Sequence, residues 1–351
     1  MNILFTSHKF FPDIGGIESH SEILAGHLAS AGFRLILATQ SESGGYRQFP
    51  YPILRKVCST TLRQALRNAD LVYQNNIELR SLWPVIGLRK PLVISIHTWL
   101  RGTDGRRRLV DLLKKFILSR AACVICVSDA LRRDTFDRAL VVPNPYDDKI
   151  FRKIPDVTRD RAVVFLGRLV SDKGADLLVD AFAHLVTDRE FQAACARQHV
   201  HSKLTIIGTG DEEQALKTMV SNRNLSDCVE FCGSVSGGKL VSILNRHRVI
   251  AVPSRWREPF GMVALEGMAC GCVPIGSDGG GLPDAIGQAG ITFARNSMHG
   301  LIESIRRLFL EPHLMNDLNV RADAHLARHK KEVVCARYLE ILQSVKNGIL
   351  R

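Results

Sequence analysis

No uninterrupted apolar run in the sequence approaches the roughly 20 residues needed to cross a bilayer. The first residues, MNILFTSHKF, lack both the apolar stretch of about 7–15 residues and the small-residue cleavage site of a secretory leader. Both absences lead to the expectation of a cytoplasmic protein, at most peripheral on the inner face of the cytoplasmic membrane. Aromatic residues are only 7% of the chain, and no basic segment interleaves them, which ranks nucleic acid last among anionic partners. There is no G-x-G-x-x-G run, which disfavours a dinucleotide dehydrogenase. Cysteine is present nine times, an odd number, mostly inside apolar strand-like runs such as AACVICVS and DCVEFCG. Cys123 and Cys126 have the spacing of a zinc knuckle, but no second pair follows at the usual distance. Buried small hydrophobes in a reducing compartment are therefore expected.

What is present is an α/β pattern met twice. The chain has 351 residues, enough for two domains. Its net charge is +12, with the basic excess mainly in the first 150 residues, which favours anionic ligands. Apolar strand candidates at Asn2–Thr6, Arg34–Ala38, Leu71–Gln74, Leu92–His97, Cys123–Val127 and Leu140–Val142 alternate with helical patterns such as Ile17–Ala31 and Arg107–Ser119. After a charged, aperiodic stretch at Ile150–Arg161 the alternation restarts: Ala162–Leu166, Leu204–Ile207, Val229–Cys232, Val249–Val252, Val273–Ile275 and Ile291–Phe293. Near-continuous apolar strands alternating with helices predict parallel sheets covered on both faces. We expect Rossmann-like doubly wound domains at 1–155 and 156–330, and a final helix within 331–351 that packs back on the first domain. Ligands of such sheets sit beyond the carboxyl ends of the strands, so the strand-to-helix loops hold the candidate site, by default in a cleft between the domains.

Five of these loops carry chemistry. SHKFFPDIGGIESH places Gly15 and Gly16 directly before a helix, where the backbone can approach a phosphate and free N–H groups await it. A tight turn explains the glycines as well. PLVISIH ends in His97, at the carboxyl edge of its sheet. GRLVSDKG carries Gly167, Arg168 and Lys173 on one loop, a guanidinium fork and an ammonium suited to a diphosphate. IGTGDEEQALK allows a sharp turn, with Asp211 as a helix cap. VPSRWREPFGMVALEGMACG is the most informative. Glu258 lies on the loop and Glu266 on the second turn of an apolar helix, eight residues apart, with Gly261 at the helix start. A dipole-complementing role accounts for Glu258, but a carboxylate inside an apolar helix needs a partner or a ligand. Gly279–Gly281 before Pro283 suits a turn and a helix first position.

Taken together, GGIE at Gly15–Glu18, His97, GRLVSDKG, IGTG and the E-x7-E pair Glu258/Glu266 resemble glycosyltransferase family 4, the group 1 glycosyltransferases, from Asn2 to about Gly290. The resemblance implies the GT-B fold and a retaining transferase using a nucleotide-diphosphate sugar donor, most often UDP-glucose or a similar UDP-hexose. It implies that Gly15, Gly16 and Gly167 approach the diphosphate and that Arg168 and Lys173 neutralise it. Glu266 would grip the ribose, Val235 would rim the base pocket, and Phe260, Gly261, Met262 and Val263 would cover the sugar or phosphate. Glu258 would hold the transferred sugar, and His97 would lie beside it. Many sugar transferases bind Mg2+ through Asp-x-Asp; the sequence has none, so no metal and no other cofactor is expected. Pro145 stands where the family commonly has glycine, and Asp284 where it commonly has glutamate. Another GT-B enzyme, such as a sugar-nucleotide epimerase, and a non-catalytic sugar-nucleotide binder are the competing readings.

Arg101–Arg120, RGTDGRRRLVDLLKKFILSR, interleaves seven basic residues with leucine, isoleucine and phenylalanine at helical spacing. Such a helix either rests on anionic lipid or covers a sheet with a solvated basic face. The first reading implies a lipid-linked glycan acceptor in polysaccharide assembly. The oligomeric state is not indicated.

Overall fold

A computed structural model describes residues 1–13, 15–44, 47–79, 90–100 and 109–350. They form two compact units, residues 1–145 with 331–351, and residues 146–330.

The first unit is a seven-stranded sheet in the order β3-β2-β1-β4-β5-β6-β7. Its strands are β1 (Asn2–Ser7), β2 (Arg34–Thr39), β3 (Ile53–Arg55), β4 (Leu71–Asn75), β5 (Leu92–Ile96), β6 (Cys123–Cys126) and β7 (Leu140–Val141). Every pairing is parallel. Strands β4 and β6 are buried at every position, as expected of apolar runs covered on both faces. Strand β3 is absent from the sequence-based expectation. It is three residues long, half-buried at the sheet edge and preceded by Pro50 and Pro52, so it carries no strand pattern.

The second unit repeats the plan with six strands, β10-β9-β8-β11-β12-β13. They are β8 (Arg161–Leu166), β9 (His201–Ile207), β10 (Val229–Phe231), β11 (His247–Val252), β12 (Val273–Ser277) and β13 (Ile291–Phe293). These pairings are parallel too. Side chains alternate across β8: Val163 and Phe165 join a core with Leu178, Phe182, Phe191 and Phe309, while Val164 joins Leu244, Ile250, Ala264 and Leu282 on the other face.

Counted within its own unit, the first sheet has the order 3-2-1-4-5-6-7 and the second 3-2-1-4-5-6, so the direction of strand addition reverses between β1 and β4, and between β8 and β11. Crevices outside the carboxyl ends of such switch-point strands are where doubly wound sheets bind ligands.

Two expectations change. The charged stretch at 150–161 belongs to the second unit rather than linking the two. Phe151 and Ile154 pack on its core, the Ile154 N–H donates to Asn245 Oδ1 at 2.8 Å, and Arg159 donates to the Cys270 carbonyl at 2.6 Å. The division therefore falls after Pro145 and not after residue 155. Asp211 does not cap a helix: the helix Glu213–Asn222 begins two residues later, without a side-chain cap. The nine cysteines are all free thiols, and eight are buried or half-buried.

Candidate active site

In the second unit, β8 ends at Leu166, and Gly167 and Arg168 follow at the carboxyl edge. A short 3-10 turn, Ser171–Lys173, then leads through Gly174 into the helix Ala175–Thr187. Gly174 has φ +71 and lies so close to the Pro253 carbonyl that a side chain would overlap it. This is a close approach of backbones that only glycine allows. Strand β11, on the other side of the switch point, delivers the loop 253–261 against this turn. The N–H groups of Arg255 and Trp256 both donate to the Asp172 carbonyl, at 2.9 and 3.1 Å. Arg255 also pairs with Asp176.

This clamp brings two of the sequence candidates together across 85 residues of chain. Lys173 Nζ donates to Glu258 Oε1 at 2.6 Å. The same oxygen accepts from Ser254 Oγ at 2.6 Å. The Lys173 ammonium also lies 5.5 Å from the centre of the Trp256 ring, within cation–π reach. Both groups are mostly withdrawn from water, and a buried carboxylate is tolerable here because two donors face it. Ser254 is itself buried, and its carbonyl accepts from Ser277 Oγ on β12 at 2.8 Å. Its place at the end of an apolar strand was legible in the sequence, but its contact with Glu258 was not. The glycine run closes the arrangement from the side of β12. The Gly281 N–H donates to the Glu258 carbonyl at 2.7 Å, and Gly280, at φ +73, leaves room for that carbonyl.

Glu266 is half-buried in the helix Met262–Ala269. It has no hydrogen bond or ion pair among the described residues, and burial pushes its carboxyl up to about 7. Gly261 precedes this helix at φ +114 and packs against Leu282. Phe260 turns its ring into the protein, 5.7 Å from His329, so only its main chain can serve a ligand. Met262 and Val263 are half-buried in the first turn, and Val263 packs on the core. Val235 is half-buried just before the helix Gly237–Asn245. Arg168 is exposed and makes no ion pair among the described residues. Gly167 is locked to the β9 loop: its N–H donates to the Ile207 carbonyl at 3.0 Å, and Gly208 sits against its carbonyl.

In the first unit, Gly15 caps and Gly16 begins the helix Gly16–Ser30 after the β1 loop. The Glu18 carboxylate folds over Gly15, at the positive end of the helix dipole. His97 stands just past β5, buried, with Nε2 2.9 Å from Ser95 Oγ. Burial holds it down to about 3, against the opposing effect of a hydrogen bond with Asn144, so the imidazole is neutral at physiological pH. Ser95 Oγ donates to Asn75 Oδ1 at 2.9 Å and accepts from the Tyr73 hydroxyl at 2.7 Å. The sequence reading did not single out His20, whose ring centre lies 4.3 Å from that of His97. His20 is also buried, and its own pKa is depressed by burial and by His97. The signal was available: His20, Leu24 and Leu28 recur every four residues on the buried face of one helix, and a histidine on an apolar stripe asks for a partner.

Family models match both halves of the chain, the glycosyl transferases group 1 over residues 147–325 and glycosyltransferase family 4 over residues 14–149. The glycogen synthase of Mycobacterium tuberculosis is 32% identical over 374 residues, covering 89% of this chain and 87% of that one. The phosphatidylinositol N-acetylglucosaminyltransferase gpi3 subunit of Schizosaccharomyces pombe is 26% identical over 335 residues, covering 85% and 71%. Among solved structures, HepE of Anabaena in complex with UDP superposes with a TM-score of 0.83 at 19% identity, covering 98% of this chain and 100% of that one. Two doubly wound parallel sheets, the ordered motifs on their switch-point loops and these matches make the chain a member of the group 1 glycosyltransferases, an enzyme of the GT-B fold.

Proposed function

We propose that this glycosyltransferase moves a hexosyl group from a UDP-sugar to an acceptor hydroxyl, with retention of configuration and without a divalent metal. The observation that carries the reading is the Lys173–Glu258 pair at the β8/β11 switch point, with Arg168 on the same loop as Lys173 and Glu266 eight residues beyond Glu258 both unpaired among the described residues. The donor's diphosphate carries two negative charges and gains one more as the glycosyl C–O bond breaks, so charge must be neutralised there. Arg168 and Lys173 are the cations at hand, and the amides that open the Met262 helix add a fixed dipole. As the donor enters, Lys173 shifts its ammonium from the carboxylate toward phosphate oxygen, and Glu258, still held by Ser254, turns its free oxygen to a sugar hydroxyl. Glu266 accepts from the ribose hydroxyl pair, which supplies the partner its carboxylate lacks.

His97 is neutral, so it can act as a hydrogen-bond partner but not as a charge. Attack from the face the diphosphate leaves, with a phosphate oxygen taking the acceptor proton, fits a site where Glu258 is already engaged by two donors. UDP and UDP-glucose occur in the structures of Anabaena HepE, which supports a UDP-hexose here. The acceptor is then a glycan or lipid-linked glycan hydroxyl.

A thermal-shift panel of UDP, GDP and ADP with their sugars tests the donor, and UDP should give the largest shift. Lys173→Ala should lower kcat by about 10²–10³, the cost typical of losing one preorganised donor to a developing anion. Turnover should persist in EDTA, and NMR of the first product formed should show the donor's anomeric configuration. Near wild-type turnover by Lys173→Ala, or activity lost in EDTA and restored by Mg2+, overturns the reading.

A further inference from the structure

The helix Leu109–Arg120 in the first unit carries apolar side chains on its inward face and a second set turned outward. Its buried residues are Asp111, Ile117 and Leu118. Four further large apolar residues face water: Leu109 is 86% exposed, Leu112 60%, Leu113 46% and Phe116 56%. These four stand at i, i+3, i+4 and i+7, one continuous stripe along the helix. The Arg120 guanidinium lies over the Phe116 ring at 5.1 Å and extends the stripe by a turn. Lys115 borders it beside Leu112, and the only acid of the helix, Asp111, is turned inward. A sheet-covering helix does the reverse, so the sheet does not account for this stripe. Arg101 and the Arg106–Arg108 cluster lie outside the described residues.

We propose that this face docks on an anionic lipid surface. Large apolar side chains bordered by cations, here Lys115 and Arg120, are the chemistry of a helix lying in a headgroup layer, apolar stripe down and cationic groups at the phosphates. A second copy of the chain is a poorer occupant. Two such helices face to face would set Lys115 and Arg120 against their own kind, with Asp111 turned inward and unavailable to offset them. In a parallel crossover the helix starts from the carboxyl edge of β5, the edge at which His97 stands. Leu109–Leu113 thus lie toward the chemically active edge of the unit, where a lipid-borne acceptor would be presented.

The inference names a partner for the proposed transferase and is separable from the donor reading, because docking needs none of the donor-binding residues. The test is co-flotation of the full chain with vesicles of phosphatidylcholine alone and of phosphatidylcholine with phosphatidylglycerol, together with sedimentation of the chain alone. The wild type should float with the phosphatidylglycerol vesicles only, and less so as salt rises. Leu113→Ser and Phe116→Ser should each lower partition about tenfold, and Lys115→Gln about fivefold, while thermal stability and donor hydrolysis stay unchanged. Failure of the wild type to float at low salt overturns the proposal. So does equal binding by Leu113→Ser/Phe116→Ser, or a dimer that these substitutions dissociate in the absence of vesicles.

Discussion

A carboxylate one turn into an apolar helix is harder to ionise in the folded chain than in the unfolded one. For Glu266 burial moves the pKa from 4.5 to about 7. Between those values the folded protein holds a proton that the unfolded chain has released, so stability falls as pH rises through the window. The cost is complete above pH 7, where a transferase would need the ionised group to accept hydrogen bonds. Glu266→Gln removes the charge and keeps the shape. The ligand-free variant should therefore melt like the wild type near pH 4.5 and about 2–6 °C above it at pH 8, after allowing for partial solvent access. The same variant should bind UDP more weakly. A melting difference that does not grow with pH would show that Glu266 is paired or solvated in the folded state. His97 and His20 run the opposite way. Their folded pKa values lie below the ordinary histidine value, so they weaken the first unit as pH falls below about 6.5.

At the level of elements, the site is held by loops that touch backbone to backbone, and glycines decide how near they come. Gly208, at φ +138, lies against the Gly167 carbonyl, and its N–H donates to the Gly233 carbonyl at 2.8 Å. Gly208→Ala meets both a strained backbone angle and main-chain oxygen that cannot swing away. A loss of about 2–4 kcal/mol is expected in chemical denaturation of the second unit, with UDP binding impaired in whatever remains folded. A stability change under about 0.5 kcal/mol would mean that the two loops part easily. Of the thirteen strands among the described residues, twelve were legible because each is an apolar run between turn residues, and β3 was not because it has neither the length nor the alternation. Arg168, Lys173 and Glu258 were legible as charges on strand-to-helix loops, and Glu266 as a carboxylate inside an apolar helix. Their partners were not. Nothing in local pattern says that Ser254 faces Glu258, that Asp172 offers its carbonyl to Arg255, or that His20 meets His97. Those contacts depend on strand order, which a single chain's periodicity leaves open. The helix Leu109–Arg120 shows the same limit from the other side. Its spacing marked an amphipathic helix, but which face turns inward is set by the sheet beneath it.

For the molecule as a whole, the last helix belongs to the first unit although it follows the second in sequence. Helix Lys331–Lys346 buries Val334, Cys335, Tyr338, Ile341, Leu342 and Val345 in the core that also holds Phe5, Leu24, Leu28 and Tyr73. Tyr338 meets His20 edge-on at 5.3 Å, which links this helix to the environment of His97. Full burial of a large apolar side chain is worth about 1.5–3 kcal/mol, so half a dozen such residues match the whole stability of an ordinary domain, about 5–15 kcal/mol. A chain ending at Lys330 should therefore lose the first unit while the second, whose core is its own, keeps its fold. Limited proteolysis of that truncated chain should digest residues 1–145 and leave a resistant fragment near 146–330, which should unfold cooperatively when expressed alone. Adding the 331–351 peptide in trans should restore protection to the first unit only. Equal protection of both units in the truncated chain would show that the final helix is dispensable, and that the seven-stranded sheet closes its core from β-strands and the Gly16–Ser30 helix without it.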